Sequence, residues 1–401
     1  MQSGVIIIGG GQAGLEAAAA LRKENYQGSI TLICGEPVPP YQRPPLSKDF
    51  LLGKHTEEQL FLRATSYYEA HNINLRLDCT VVAIDRTQKR VMLNASPALE
   101  YEKLILAVGA RNRMIRAPGA ERVFYLRSLS ESQALKQALE SSPSIAVIGG
   151  GFIGLEVAAA ASKLGKIVTV IEAQARLMAR AVPQTLSDFF LQVHRDHGET
   201  VLLETDVAEI TPDEVICSNG HRVAADLVVA GIGVRPNQEL AQEAGLTVGN
   251  GIRVDEFLRT SDPDIYAIGD CAEHPNRFAS GGERVRLESV QNAVDQAKCV
   301  VRGIAGNPAP YRDVPWFWTD QFDIRFQMAG LTSGHDQQVL RGNIDAHKFS
   351  LFYFRKGKLR GVDSVNRFGD HVTARKLLAH GIALTPEQAA DESVDLKKLA
   401  S

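Results

Sequence analysis

The sequence predicts an α/β protein in which two similar βαβ modules are followed by a C-terminal α+β domain. Three observations carry this reading. A glycine turn occurs twice, as Gly9-Gly10-Gly11-Gln12-Ala13-Gly14 and as Gly149-Gly150-Gly151-Phe152-Ile153-Gly154, each time directly after an aliphatic run. Each turn leads into an Ala-rich helical stretch and then a second aliphatic run closed by a carboxylate, Glu36 or Glu172. Beyond Pro308-Ala309-Pro310 the pattern changes to strand-like segments and one late helix.

In chain order, residues 5–8 read as a buried strand, 13–23 as a helix and 30–34 as the next strand. Residues 81–84 and 91–93 alternate as an antiparallel excursion, and 103–110 read as a strand ending in Gly109. A boundary falls at 111–118. The module then repeats, with strand 145–148, helix 154–164 and strand 168–171. It ends near Gly233-Val234-Arg235-Pro236. Ile265-Tyr266-Ala267-Ile268-Gly269-Asp270 and a helical pattern over 290–303 read as a return to the first module. Strands at 349–354 and 361–365 and a helix at 371–380 build the last domain, and the charged stretch 391–398 reads as a solvated end. The expected division is therefore 1–115 with 240–315, then 116–239, then 316–401.

Composition narrows the function classes. With 401 residues, 44% hydrophobic and 23% charged, the chain is long enough for two or three domains with their own cores. A formal net charge of -3 gives no global attraction to nucleic acid or an anionic membrane. The apolar run 5–8 is too short for a signal or a membrane span, so a cytoplasmic protein is expected. The five cysteines, Cys34, Cys79, Cys217, Cys271 and Cys299, form no CxxC pair and no metal-ligand spacing, which fits a reducing compartment and predicts no metal site.

The glycine turns carry the chemistry. The first glycine (Gly9, Gly149) permits the strand-to-helix reversal, the second (Gly11, Gly151) lets backbone approach a pyrophosphate, and the third (Gly14, Gly154) packs helix on strand. The helix N-terminus then faces the phosphates. Glu36 follows Gly14 by 22 positions and Glu172 follows Gly154 by 18, where a carboxylate accepts from ribose hydroxyls. Both modules therefore read as Rossmann-like dinucleotide-binding domains. Spacing leaves open which site takes which nucleotide. At the second site Glu172 would repel a 2′-phosphate, whereas Arg176 and Arg180 are cations of the kind that hold one.

Here the chain resembles the two-dinucleotide flavoprotein reductases, over nearly all of its length. Ala107-Val108-Gly109-Ala110-Arg111 resembles their crossover motif, and 260–270 resembles their second FAD fingerprint. Tyr41-Gln42-Arg43-Pro44-Pro45-Leu46-Ser47-Lys48, Glu288-Ser289-Val290-Gln291-Asn292-Ala293 and Pro315-Trp316-Phe317-Trp318 are similar to segments of the ferredoxin reductases that serve bacterial cytochrome P450 and aromatic dioxygenase systems. The resemblance implies FAD at the N-terminal turn and NADH at the inner one. It implies that Ala13, Arg43, Lys48, Arg127 and Asp270 contact FAD, that Val82 holds the adenine through its backbone, and that Val290 places an N–H at the pyrimidine end of the flavin. Trp318, with Trp316, would lie near the flavin edge facing the partner. On the nicotinamide side it implies Ile153, Gly233 and Glu172, with Glu156 as partner of Lys48 and Glu288 near the nicotinamide amide. Lys48, Glu156 and Glu288 are the candidate catalytic residues.

The disulfide reductases of this superfamily need a cysteine pair beside the flavin, and residues 37–52 contain none. Electrons are therefore expected to leave the flavin directly, and the resemblance implies that they pass one at a time to a [2Fe-2S] ferredoxin. Arg302, Arg312 and Arg325 are the candidate docking cations. Two other readings share the fold: an NADH-dependent reductase of rubredoxin or a small quinone, and a redox-sensing protein resembling the apoptosis-inducing flavoproteins.

Overall fold

The computed structural model describes residues 4–400. The first sheet has a parallel core in the order Ile73–Arg76, Ile30–Ile33, Gly4–Ile8, Leu99–Leu106 and Ile265–Ala267. The last strand comes from far along the chain, which is the return to the first module. At the centre of the sheet, Gly4–Ile8 and Ile30–Ile33 are mostly aliphatic and almost wholly buried, as strands covered on both faces require. Helix Gln12–Lys23 packs with helix Val290–Ile304 on this sheet, and the hairpin of Val81–Asp85 with Arg90–Leu93 extends it antiparallel.

The second module repeats the design with five parallel strands in the order Thr200–Leu202, Ile167–Ile171, Ser144–Ile148, Leu227–Ala230 and Phe124–Tyr125. In both sheets the chain leaves the glycine-turn strand toward one side and later returns on the other. A crevice opens at that reversal of strand order. Gly9 lies against the Ala107 carbonyl and Gly149 against that of Gly231, so each turn sits in its crevice.

The strand expected over 103–110 stops at Leu106. Gly109 takes φ +65°, a left-handed turn that ends the ladder, and Ala110–Asn112 starts afresh. That short strand pairs antiparallel with Val234–Pro236, so the segments at the two expected boundaries form one ribbon.

The last domain is a five-stranded antiparallel sheet in the order Trp316–Gln321, Ile324–Gly330, Lys358–Val365, Lys348–Arg355 and Gln337–Asn343. One face places Phe326, Phe349 and Leu351 against Phe189 and Phe190 of the second module. The other is covered by helix Phe368–His380 through Phe352, Phe354, Leu377 and Leu378. The stretch 391–398 keeps its charged side chains exposed, and it is anchored at two points. Leu396 is buried, and the buried Arg341 guanidinium donates to the carbonyls of Ala389, Asp391 and Val394. Among the described residues no helix is long and apolar enough to cross a membrane.

Candidate functional site

At the N-terminal turn, Gly9 has φ +121°, and a Cβ there would lie 2.1 Å from the Ala107 carbonyl oxygen. A Cβ on Gly14 would lie 2.0 Å from the Gly9 oxygen, whereas one on Gly11 would meet nothing within 4 Å. The first and third glycines are thus required by protein packing, and the second faces the open crevice. Helix Gln12–Lys23 begins without a side-chain cap, which leaves its first N–H groups to an anion. Ala13 packs against the second fingerprint, where a Cβ on Gly269 would lie 3.2 Å from its methyl.

Four predicted FAD residues form one chain of hydrogen bonds. Glu36 accepts from Arg43 Nη2 at 2.7 Å and from the Tyr41 hydroxyl at 2.6 Å. Arg43 Nη1 donates to the Arg127 carbonyl at 2.6 Å, and Arg127 Nη2 donates to Asp270 Oδ2 at 2.7 Å. The Glu36 and Asp270 carboxylates, one from each fingerprint, are thereby linked through two guanidinium groups. Val82 sits at a bulge: Val81 pairs with Leu93 and Ala83 with Met92, so its own backbone is left outside the ladder. Val290 is the first residue of its helix, capped by the Ser289 hydroxyl, which accepts from Asn292 N–H. This set fits FAD: a glycine cradle for the pyrophosphate, a carboxylate at each fingerprint, free backbone at Val82 and a positive helix end at Val290.

The inner turn repeats the cradle. Gly149 has φ +105°, a Cβ on Gly154 would lie 2.0 Å from the Gly149 oxygen, and helix Phe152–Lys163 also lacks a side-chain cap. Ile153 is exposed at the start of that helix. Glu172 accepts from Gly150 N–H at 2.6 Å and from Gln174 N–H at 2.7 Å, which ties the carboxylate to the turn. Arg176 donates to the Val182 and Ala179 carbonyls and to Ser187 Oγ. These three bonds hold the 176–187 loop together and turn the Arg176 guanidinium inward. Arg180 lies instead beside Gly233, which has φ +97°.

The two nucleotide modules meet the C-terminal sheet at one buried carboxylate. Glu156 Oε1 lies 2.7 Å from Lys48 Nζ, with the two side chains 2% and 17% exposed. Lys48 follows the 3-10 turn Pro44–Ser47, whose two prolines stiffen its approach. Ser47 donates to Glu156 Oε2, and Thr319, from the C-terminal sheet, donates to Oε1 at 2.6 Å. Glu288 stands apart from this cluster, paired with Arg286 at 2.7 Å.

Trp318 is half-buried, with its ring 5.5 Å from that of Trp316. Arg375 lies 4.5 Å over the Trp316 ring, close enough for a cation–π contact. Arg302, Arg312 and Arg325 are all exposed. Cys34 is pushed up to about 12 by burial, and Cys271 and Cys299 to about 11, so these thiols stay protonated and unreactive. Sequence reasoning missed Tyr41 as the donor to Glu36, Thr319 as the third-domain donor to Glu156, and Arg375. Tyr41 stood inside the segment already singled out, whereas nothing local marks Thr319 or Arg375.

Two Rossmann modules, each with a glycine cradle and a carboxylate, joined at a buried Lys–Glu pair, define the class as a two-nucleotide redox protein. The chain belongs to the pyridine nucleotide-disulphide oxidoreductase family, which matches residues 3–297, and a reductase C-terminal domain matches 316–400. Rhodocoxin reductase of Rhodococcus erythropolis is 50% identical over 400 residues, 98% of this chain and 93% of that protein. The crystal structure of the ferredoxin reductase for the CYP199A2 system of Rhodopseudomonas palustris superposes with a TM-score of 0.97 at 44% identity, covering 100% of both chains. The reductase in the covalent putidaredoxin reductase–putidaredoxin complex superposes with a TM-score of 0.95 at 38% identity, covering 99% of this chain and 98% of that one.

Proposed function

We propose that this protein is a cytoplasmic NADH:ferredoxin reductase that holds FAD and supplies a [2Fe-2S] ferredoxin of a cytochrome P450 or related oxygenase. The observation that carries the reading is the Lys48–Glu156 pair at the meeting of the two nucleotide modules, beside a flavin segment, 37–52, with no cysteine. The relatives named above are ferredoxin reductases or act with a redoxin, which supports the same acceptor class. FAD, when bound, accepts a hydride from NADH and gives up the two electrons singly.

The chain's own residues bind and orient. Gly9, Gly11, Gly14 and the free N-terminus of their helix receive the FAD pyrophosphate, Glu36 the ribose, Asp270 with Arg127 the ribitol, and Val82 the adenine. Val290 N–H, at the positive end of a 15-residue helix, favours negative charge at the pyrimidine end of the flavin. Gly149, Gly151, Ile153, Gly154, Glu172 and Gly233 receive NADH. Lys48 presents its ammonium at the flavin, held there by Glu156, and Glu288 lies on the nicotinamide side. The division into 1–115 with 240–315, 116–239 and 316–401 belongs to this reading. Trp318 and Trp316 lie toward the docking face, with Arg302, Arg312 and Arg325 drawing in an acidic partner.

The test is turnover with a panel of acceptors at increasing salt. Ferredoxin-dependent turnover falls as salt rises while NADH reduction of a neutral quinone stays level, because screening acts on the encounter of two charged faces. Efficient quinone turnover with no reduction of any of several [2Fe-2S] proteins would replace this reading with the small-acceptor one.

A further inference from the structure

We propose that Thr319, on the C-terminal sheet, is a positioning residue for hydride delivery: it fixes the Glu156 carboxylate and through it the Lys48 ammonium. The third domain then helps set up the meeting of nicotinamide and flavin, in addition to any part in docking. The inference rests on the reading of Lys48 and Glu156 given above, and deepens it.

The geometry is specific. Glu156 is buried, and a buried ion pair offsets its desolvation only when further hydrogen bonds hold it. Its Oε1 accepts from both Lys48 Nζ at 2.7 Å and Thr319 Oγ1 at 2.6 Å, while Oε2 accepts from Ser47 Oγ. Lys48 and Ser47 come from the first module, Glu156 from helix Phe152–Lys163 of the second, and Thr319 from strand Trp316–Gln321. One carboxylate therefore ties three parts of the chain together. Removing Thr319's hydroxyl would free Oε1 to rotate toward Lys48 alone and let the ammonium follow.

Thr319 is itself held. A hydroxyl has one hydrogen, and here Glu156 takes it, which leaves the oxygen lone pairs to face Gln321 Nε2 at 3.4 Å. Gln321 Oε1 lies 2.9 Å from His194 Nε2, and His194 Nδ1 lies 2.6 Å from Glu199 Oε2. Both ring nitrogens of a fully buried histidine are thus engaged, which fixes the ring. The chain Glu156–Thr319–Gln321–His194–Glu199 starts and ends in the second module and passes through the third domain. It makes the sheet a rigid backing for the carboxylate. The Phe152 ring, 4.7 Å from Phe317 and 6.5 Å from Phe326, packs the same helix against the same sheet.

The experiment compares T319V, which keeps the shape and loses the O–H, with T319S, which keeps the O–H and loses a methyl. NADH-driven flavin reduction is followed in single turnover at saturating NADH, NADH affinity is measured separately, and the Glu156 carboxylate stretch is isolated by infrared subtraction against E156Q. Loss of one charge-assisted hydrogen bond predicts that T319V slows flavin reduction about ten-fold. T319S stays near wild type, NADH affinity is unchanged in both, and the carboxylate band shifts in T319V alone. Where T319V fails to retain FAD, T319A supplies the comparison. Wild-type reduction in T319V, or an equal loss in T319S, would overturn the proposal, since the latter would mean that methyl packing is what matters. Wild-type flavin reduction in E156Q would instead remove the Lys48–Glu156 reading, and the role of Thr319 with it.

Discussion

Replacing Glu172 by Gln probes how the nicotinamide site chooses its nucleotide. Both oxygens of this carboxylate accept from backbone N–H groups, Gly150 at 2.6 Å and Gln174 at 2.7 Å. An amide can satisfy only one of them and turns an N–H₂ against the other. The substitution therefore loses a charged acceptor for the ribose hydroxyls and also loosens the turn. A hydrogen bond to a charged group is worth about 1.5–3 kcal/mol, which corresponds to about a 10- to 150-fold fall in kcat/KM for NADH. The gain for NADPH is smaller. Glu172 is half-exposed, and relieving one charge repulsion at 4 Å in a water-like dielectric gives about 1 kcal/mol, or about five-fold. Of the two guanidinium groups in the neighbouring loop, Arg176 donates to Val182, Ala179 and Ser187 and Arg180 lies beside Gly233, so neither is bonded to Glu172. Steady-state kinetics with both nucleotides should show a narrowed preference, produced mostly by weaker NADH binding, with kcat for NADH nearly retained. A gain of about a hundred-fold with NADPH would require a cation in place at the ribose and would refute this account of the loop.

D270A removes the acceptor of Arg127 Nη2 at the second fingerprint and should weaken FAD retention by about 1–3 kcal/mol, read as flavin lost on gel filtration. Asp363 is fully buried, and burial raises it to about 7 despite the Tyr353 hydroxyl that donates to its Oδ2 at 2.6 Å. Its folded value lies above its unfolded one, so its contribution is complete below about pH 4 and is lost as pH rises through 7, a loss of about 4 kcal/mol. Denaturation against pH should show D363N more stable than wild type at pH 8 but not at pH 4; parallel profiles would show that Asp363 does not titrate in this range. His274 is buried and lowered to about 4, with Nδ1 3.2 Å from Gln296 Nε2, while Gln296 Oε1 accepts from Gly269 N–H of the FAD fingerprint. A depressed histidine holds its stabilisation above about pH 6.5 and loses it as pH falls toward 4, so FAD release should rise across that window and be less pH-dependent in H274N.

Much of the fold was legible because it is written locally. Each glycine turn sits between an aliphatic strand and an Ala-rich helix, and the return at Ile265–Ala267 ends in a recognisable Gly269-Asp270 turn. What escaped was set mostly by long-range contact, the early strand end at Leu106 being the local exception. Leu106 ends its strand because Gly109 turns left-handed, and the Ala110–Asn112 ribbon depends on a partner, Val234–Pro236, from beyond the whole second module. The exposed charges of the terminal stretch are plain in the sequence, whereas its anchor Arg341, which binds its carbonyls, lies in a distant strand. At the site, Glu36 and Glu172 follow from spacing, and Lys48 with Glu156 from resemblance. Thr319 is one of two short polar side chains in a tryptophan-rich strand segment, and its role depends on a carboxylate 163 positions away.

The central claim is that electrons leave the flavin directly, without a sulfur relay. It is tested most directly by anaerobic double-mixing stopped flow: the FAD enzyme is reduced with NADH, then mixed with excess oxidised [2Fe-2S] ferredoxin, with and without prior thiol alkylation. The account predicts that both electrons pass to ferredoxin one at a time, at the same rates in alkylated enzyme, since Cys34, Cys79, Cys217, Cys271 and Cys299 are all free and buried. Transfer abolished by alkylation, or reduced enzyme that passes electrons to a disulfide and to no ferredoxin, would contradict it.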